Sequence, residues 1–104
     1  MAETEQPDRR QQKRIHFIKE VEVVGAGMRR CSDLCIDGMY IETIHSVPVD
    51  TVFDLKFKLH DSDEHPIKVQ ARVRYVHESV GMGVDFVNLK PEDLERIKKF
   101  IESR

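Results

Sequence analysis

The chain has 104 residues, of which 39% are hydrophobic and 35% charged; that suffices to bury one core, not two, and is too apolar for a disordered polymer. Its net charge of −2, from 17 basic and 19 acidic residues, argues against a nucleic-acid or membrane binder held by a diffuse positive field. No stretch approaches the roughly 18 apolar residues of a membrane span, and the first residues lack the apolar run of a signal peptide, so a cytoplasmic protein without membrane insertion is expected.

Residues 1–8 are polar, with Pro7 near their end, and residues 1–14 read as a flexible lead-in ahead of a folded unit over 15–104. Strand periodicity starts at Ile15: Ile15, Phe17, Val21 and Val23 share a face, and Lys19 interrupts the alternation, which predicts a bulge or a change of facing. Gly25-Ala26-Gly27 reads as a turn, and Met28 to Leu34 as a second strand of mixed polarity. Met39, Ile41 and Thr43 alternate with Tyr40, Glu42 and Ile44 in a half-buried third strand, which Val47-Pro48-Val49-Asp50 ends.

Leu55, Phe57 and Leu59 alternate with charged neighbours before the polar loop 60–66, expected to be a solvated hairpin tip. From Ile67 to His77 a long strand places Val69, Ala71, Val73 and Tyr75 on one face and Gln70, Arg72 and Arg74 on the other. After a turn at Ser79-Val80-Gly81, Met82, Val84 and Phe86 make a last strand, in which Gly83 marks a bulge or a close approach of another group. Tyr75 and Phe86 are expected in the core.

The end changes period. Pro91 suits a first helical turn, with Glu92 and Asp93 at the positive end and Lys98 and Lys99 at the negative end. Leu94, Ile97 and Ile101, beside Phe100, form one apolar stripe, and Glu92–Arg96 and Glu95–Lys99 stand at i,i+4; the helix should span about 91–103. Lys90 is a poor N-cap. Six short strands joined by turns, followed by one helix, predict an all-β fold: an antiparallel barrel, because closure removes exposed edges.

Two stretches carry the candidate site. Residues 8–14 hold Arg9, Arg10, Lys13 and Arg14 against the single acid Asp8, and Cys31 to Thr43 runs from a polar turn through Gly38 into a strand. Arg10-x-x-x-Arg14, followed about twenty residues later by Asp33-x-Cys35-x-x-Gly38, resembles the two-part signature of PilZ domains, RxxxR and then D/N-x-S-x-x-G. Cys35 stands where that pattern has serine. Gly38-Met39-Tyr40-Ile41-Glu42-Thr43 and Gly83-Val84-Asp85-Phe86 also resemble the family's strand segments.

The resemblance implies a six-stranded barrel and a receptor for cyclic di-GMP, a ligand with two phosphates and two guanines. Arginine suits that ligand, since its planar fork binds phosphate, pairs with the O6/N7 edge of guanine and stacks on a purine. By position, Arg10 and Arg14 would clamp the ligand and Arg9 would add charge. Asp33 would accept from guanine N–H groups, Cys35 would add a polar contact, and Gly38 would let the base approach. Binding would order the arginine segment and so signal to a partner protein. A thiol in place of a hydroxyl forfeits about 0.5–1.5 kcal/mol, less than the roughly 1.5–3 kcal/mol of an arginine contact. The alternative from another class is a ligand-independent PilZ-like adaptor, in which Cys35 reflects lost nucleotide recognition.

Other chemistries find less support. The only cysteines, Cys31 and Cys35, suit reduced thiols, and the five histidines show no metal-ligand spacing with them, so no metal or cofactor is expected. No nucleophile elbow or phosphate-binding GxxxxGK[ST] loop is present, so no enzyme is expected. The face Gln70, Arg72 and Arg74 is too sparse for a single-strand nucleic-acid binder.

Overall fold

The structure is a computed structural model and describes residues 13–45 and 47–104. Arg9 and Arg10 therefore lie outside the described residues, as does most of the expected lead-in. Six strands form a closed antiparallel barrel in the order β1-β2-β3-β6-β5-β4. They are β1 (Ile15–Val23), β2 (Gly27–Cys35), β3 (Gly38–Glu42), β4 (Val52–Phe57), β5 (Ile67–His77) and β6 (Gly81–Val87), followed by helix α1 (Pro91–Glu102). Among the described residues no helix is long and apolar enough to cross a membrane.

Alternation of side chains fills the barrel. Leu34, Met39, Val84 and Val73 face one another in register across β2, β3, β6 and β5, and all are buried. The neighbouring residues on each strand therefore point outward and are free to build a site. Three register shifts break this rule: in β1 between His16 and Lys19, in β2 between Cys31 and Asp33, and in β5 between Val73 and Tyr75. The first is where Lys19 interrupts the sequence pattern. The third corrects the expected core: with Arg74 as the extra residue, Tyr75 turns outward and is 39% exposed. Phe86 is half-buried, stacked on Phe57 with centroids 5.9 Å apart.

Helix α1 packs on the barrel end made by the start of β1 and the β4–β5 loop. Phe100 meets Phe17 edge-on at 5.4 Å and His60 at 5.0 Å. Ile97, Phe100 and Ile101 are buried, each contributing about 1.5–3 kcal/mol. Leu94 leaves the expected stripe: it is 37% exposed, and Asp93 is buried instead. Lys90 makes no side-chain cap, and Pro91 begins the helix.

In place of the expected Glu92–Arg96 pair, Arg96 takes an i,i+3 partner and two more from the 60–66 loop. Arg96 bonds to Asp93 at 3.3 Å, to the His65 carbonyl at 2.8 Å and to Asp63 at 3.4 Å. Asp63 also accepts the backbone N–H groups of Leu59 and His60 at 3.2 and 3.1 Å, so the 60–66 loop is tied to the helix rather than merely solvated. The His60 N–H holds the Asp63 carboxyl below its ordinary range. A depressed carboxylate stabilises the fold above its unfolded pKa and loses that contribution as pH falls through the folded value. Asp63→Ala should lower unfolding free energy by about 1–2 kcal/mol near neutrality. Chemical denaturation should show the gap between wild type and variant shrinking in acid.

Candidate functional site

The outward faces of β2, β3, β5 and β6 enclose a depression of about 320 Å³. One outward row runs His16–Asp33–Tyr40–Gly83–Tyr75 across five strands, and a second runs Cys35–Gly38–Asp85, with Arg72 opposite Asp85 but outside the depression. Each row contains one glycine, and those glycines make the hollow. A Cβ on Gly38 would lie 2.1 Å from the Val84 carbonyl oxygen, and one on Gly83 would lie 2.4 Å from the Tyr75 ring. Tyr75 therefore lies over Gly83, where it meets Tyr40 at a centroid distance of 6.3 Å. The Tyr40 hydroxyl is 2.9 Å from His77 Nδ1, which steadies the aromatic wall.

Of the residues singled out in the sequence, Arg14, Asp33, Cys35 and Gly38 all border this one pocket. Arg14 enters just ahead of β1, while the adjacent Lys13 donates to the Arg104 carbonyl at 3.2 Å, next to the end of α1. Asp33 stands 3.4 Å from His16 Nδ1 and keeps a partly exposed carboxylate. Cys35 donates its thiol to Asp37 Oδ1 at 2.9 Å. Burial, and then that hydrogen bond, push the Cys35 pKa up to about 11, and burial pushes Cys31 up to about 12. Both thiols are free.

The shift has a measurable consequence. Against an ordinary value of 9.0, Cys35 should carry about a hundredfold less thiolate at pH 8 and react correspondingly slowly with iodoacetamide. Its alkylation rate should keep rising toward pH 11, and Asp37→Asn should bring the rise to lower pH.

Sequence reasoning missed Tyr40, Asp37, Arg74, Tyr75 and Asp85, which also border the pocket. Gly83 was the available signal, because a glycine in a strand marks close approach of another group. The group proves to be Tyr75. Chemically the pocket combines a cationic entrance, carboxylates that accept hydrogen bonds, and aromatic surface over a glycine floor. That set suits a planar base bearing N–H donors joined to an anionic group. Among the described residues no group of three or more His, Cys, Asp and Glu is placed to hold a metal ion.

A family model described as PilZ domain matches residues 8–103. Among solved structures, the chain is similar to the Bacillus subtilis inhibitor of motility (MotI/DgrA). The two are 18% identical with a TM-score of 0.81, over 92% of this chain and 50% of that one. It is also similar to YcgR from Escherichia coli in complex with c-di-GMP, at 15% identity and a TM-score of 0.67, over 91% of this chain and 45% of that one. The chain thus spans about half the length of both, and at these identities the likeness is one of fold. No curated protein matches it.

Proposed function

The chain belongs to the PilZ domain family, and we propose that it is a cytoplasmic, non-enzymatic receptor for cyclic di-GMP that signals to a partner protein. The observation that carries this reading is the convergence of Arg14, from ahead of β1, with Asp33, Cys35 and Gly38, about twenty residues further along the chain, on one pocket. YcgR, a structural neighbour, binds the same ligand in its complex.

In this reading Arg14, together with Arg10 and Arg9 from the segment outside the described residues, holds phosphate and stacks on a guanine. Asp33 accepts from guanine N1–H and N2–H groups. Gly38 keeps the floor low enough for a base to lie on it. Tyr75, whose ring covers Gly83, offers a ring face. Ligand capture closes the arginine segment on the barrel, and Lys13, which donates to the Arg104 carbonyl just past α1, gives that closure a route to the helix, whose surface a partner can sense.

One observation favours the second reading, a ligand-independent adaptor. The Cys35 thiol is committed to Asp37, so it offers a ligand less than a free hydroxyl does. Calorimetric titration of cyclic di-GMP separates the two. Micromolar or tighter binding supports the receptor, whereas no heat at high ligand concentration, with the fold verified by circular dichroism, leaves the adaptor. Stacking contributes roughly 1–3 kcal/mol per base, so Tyr75→Ala should weaken binding at least about fivefold. With two tyrosines and no tryptophan in the chain, ligand quenching of tyrosine emission in Tyr40→Phe reports Tyr75 alone.

A further inference from the structure

On the β5–β6 side of the pocket a second carboxylate and cation stand together. Arg74 Nη1 lies 3.5 Å from Asp85 Oδ1, with the side chains 66% and 43% exposed. Strand register alone does not give this pair, because the residue directly opposite Asp85 is Arg72. The β5 bulge inserts Arg74 between Val73 and Tyr75 and brings its guanidinium to Asp85 and the pocket. A pair this exposed contributes little to stability, and bulges, which re-aim a side chain, are over-represented at sheet edges, at barrel rims and next to active sites. Asp33 lies on the other side of β3, on β2, and Asp37, the third carboxylate lining the pocket, accepts from the Cys35 thiol, so Asp33 and Asp85 form two separate stations on either side of β3.

Resting on the cyclic di-GMP reading above, we propose that Arg74 and Asp85 read the Watson–Crick edge of the ligand's second guanine. That edge runs O6 acceptor, N1–H donor, N2–H donor. With a guanidinium N–H aimed at O6 and both Asp85 oxygens aimed at N1–H and N2–H, the pair would offer one donor followed by two acceptors, the order in which cytosine pairs with guanine. Adenine reverses the order: its N6 amine would face the Arg74 donor and its N1 lone pair would face the Asp85 carboxylate. The pair therefore selects guanine by repelling adenine as well as by binding guanine. Asp33 reads one base and Arg74 with Asp85 the other, which matches a ligand with two.

The test is calorimetric titration of cyclic di-GMP and cyclic di-AMP into wild type, Asp85→Asn, Arg74→Ala, Arg14→Ala and Arg72→Ala, each first checked by thermal melting. Asp85→Asn and Arg74→Ala should each weaken cyclic di-GMP at least about tenfold and narrow its preference over cyclic di-AMP by a similar factor. Arg72→Ala, a neighbouring exposed cation that does not line the pocket, should stay within about twofold. The station is overturned if Asp85→Asn binds as tightly as wild type or tighter, if the preference is unchanged, or if Arg72→Ala loses as much as Arg74→Ala. Should wild type bind and Arg14→Ala weaken it while the station variants do not, only the second-base assignment falls. No binding by wild type removes the receptor reading and this assignment with it.

Discussion

Gly38→Ala is expected to lower the melting temperature by roughly 10–20 °C. Gly38 sits where β3 begins, in register with Cys35 on one side and Asp85 on the other. The added Cβ would meet the Val84 carbonyl oxygen at 2.1 Å, its carbon at 3.1 Å and the Asp85 Cα at 3.2 Å, all backbone atoms of the paired strand. A flexible side chain could swing aside, but a ladder cannot, so β3 and β6 must separate locally, at a cost of about 3 kcal/mol. The Phe86 N–H to Asp37 carbonyl bond at 2.8 Å, which closes the same corner, should be strained with them. Gly83→Ala makes the contrast. The three atoms nearest its Cβ all belong to the Tyr75 side chain, so the ring should move, stability should fall less, and the effect should appear in tyrosine emission. Melting curves of the two variants decide the point: equal losses would mean that the β3–β6 backbone contact is not the controlling one.

Arg14→Ala should weaken cyclic di-GMP binding by about ten- to a hundredfold while leaving the melting temperature within about 2 °C. The first expectation follows from losing charge-assisted bonds to phosphate, about 1.5–3 kcal/mol. The second follows from exposure: Arg14 precedes β1 and is solvent-facing, and surface changes away from packed features are usually near neutral. Arg14→Lys separates charge from shape. Lysine keeps the positive charge but loses the planar fork and the stacking face, so it should recover only part of the affinity and should depend more steeply on salt. Calorimetry at two ionic strengths reads all three proteins. Full recovery by lysine would mean that Arg14 acts as a point charge alone.

Much of the barrel was legible because its strands obey the period of two. Phe17, Val21 and Val23 lie on a buried face, as do Val69, Ala71 and Val73, and the helix begins at the proline the sequence marked. The break at Lys19 was legible too, because a charge fell where an apolar residue was due. Tyr75 was not, since an aromatic at an apolar position gives no sign that the residue before it is extra. Leu94 and Asp93 were exchanged for a related reason. Helical spacing defines a stripe but not its edges, and the partner surface decides which edge is covered. The Asp63–Arg96 contact, spanning 33 residues, has no local signature at all.

The sequence by itself determined the six strands, the terminal helix and which residues carry the arginine and Asp-x-Cys-x-x-Gly motifs, because these depend on periodicity and residue type within a short window. Only the tertiary structure decided that Arg14, Asp33, Cys35 and Gly38 share a pocket with Arg74, Tyr75 and Asp85. That outcome depends on register between strands distant in the chain. A bulge of one residue reverses the facing of every side chain beyond it, and local sequence does not encode which strand it will lie against.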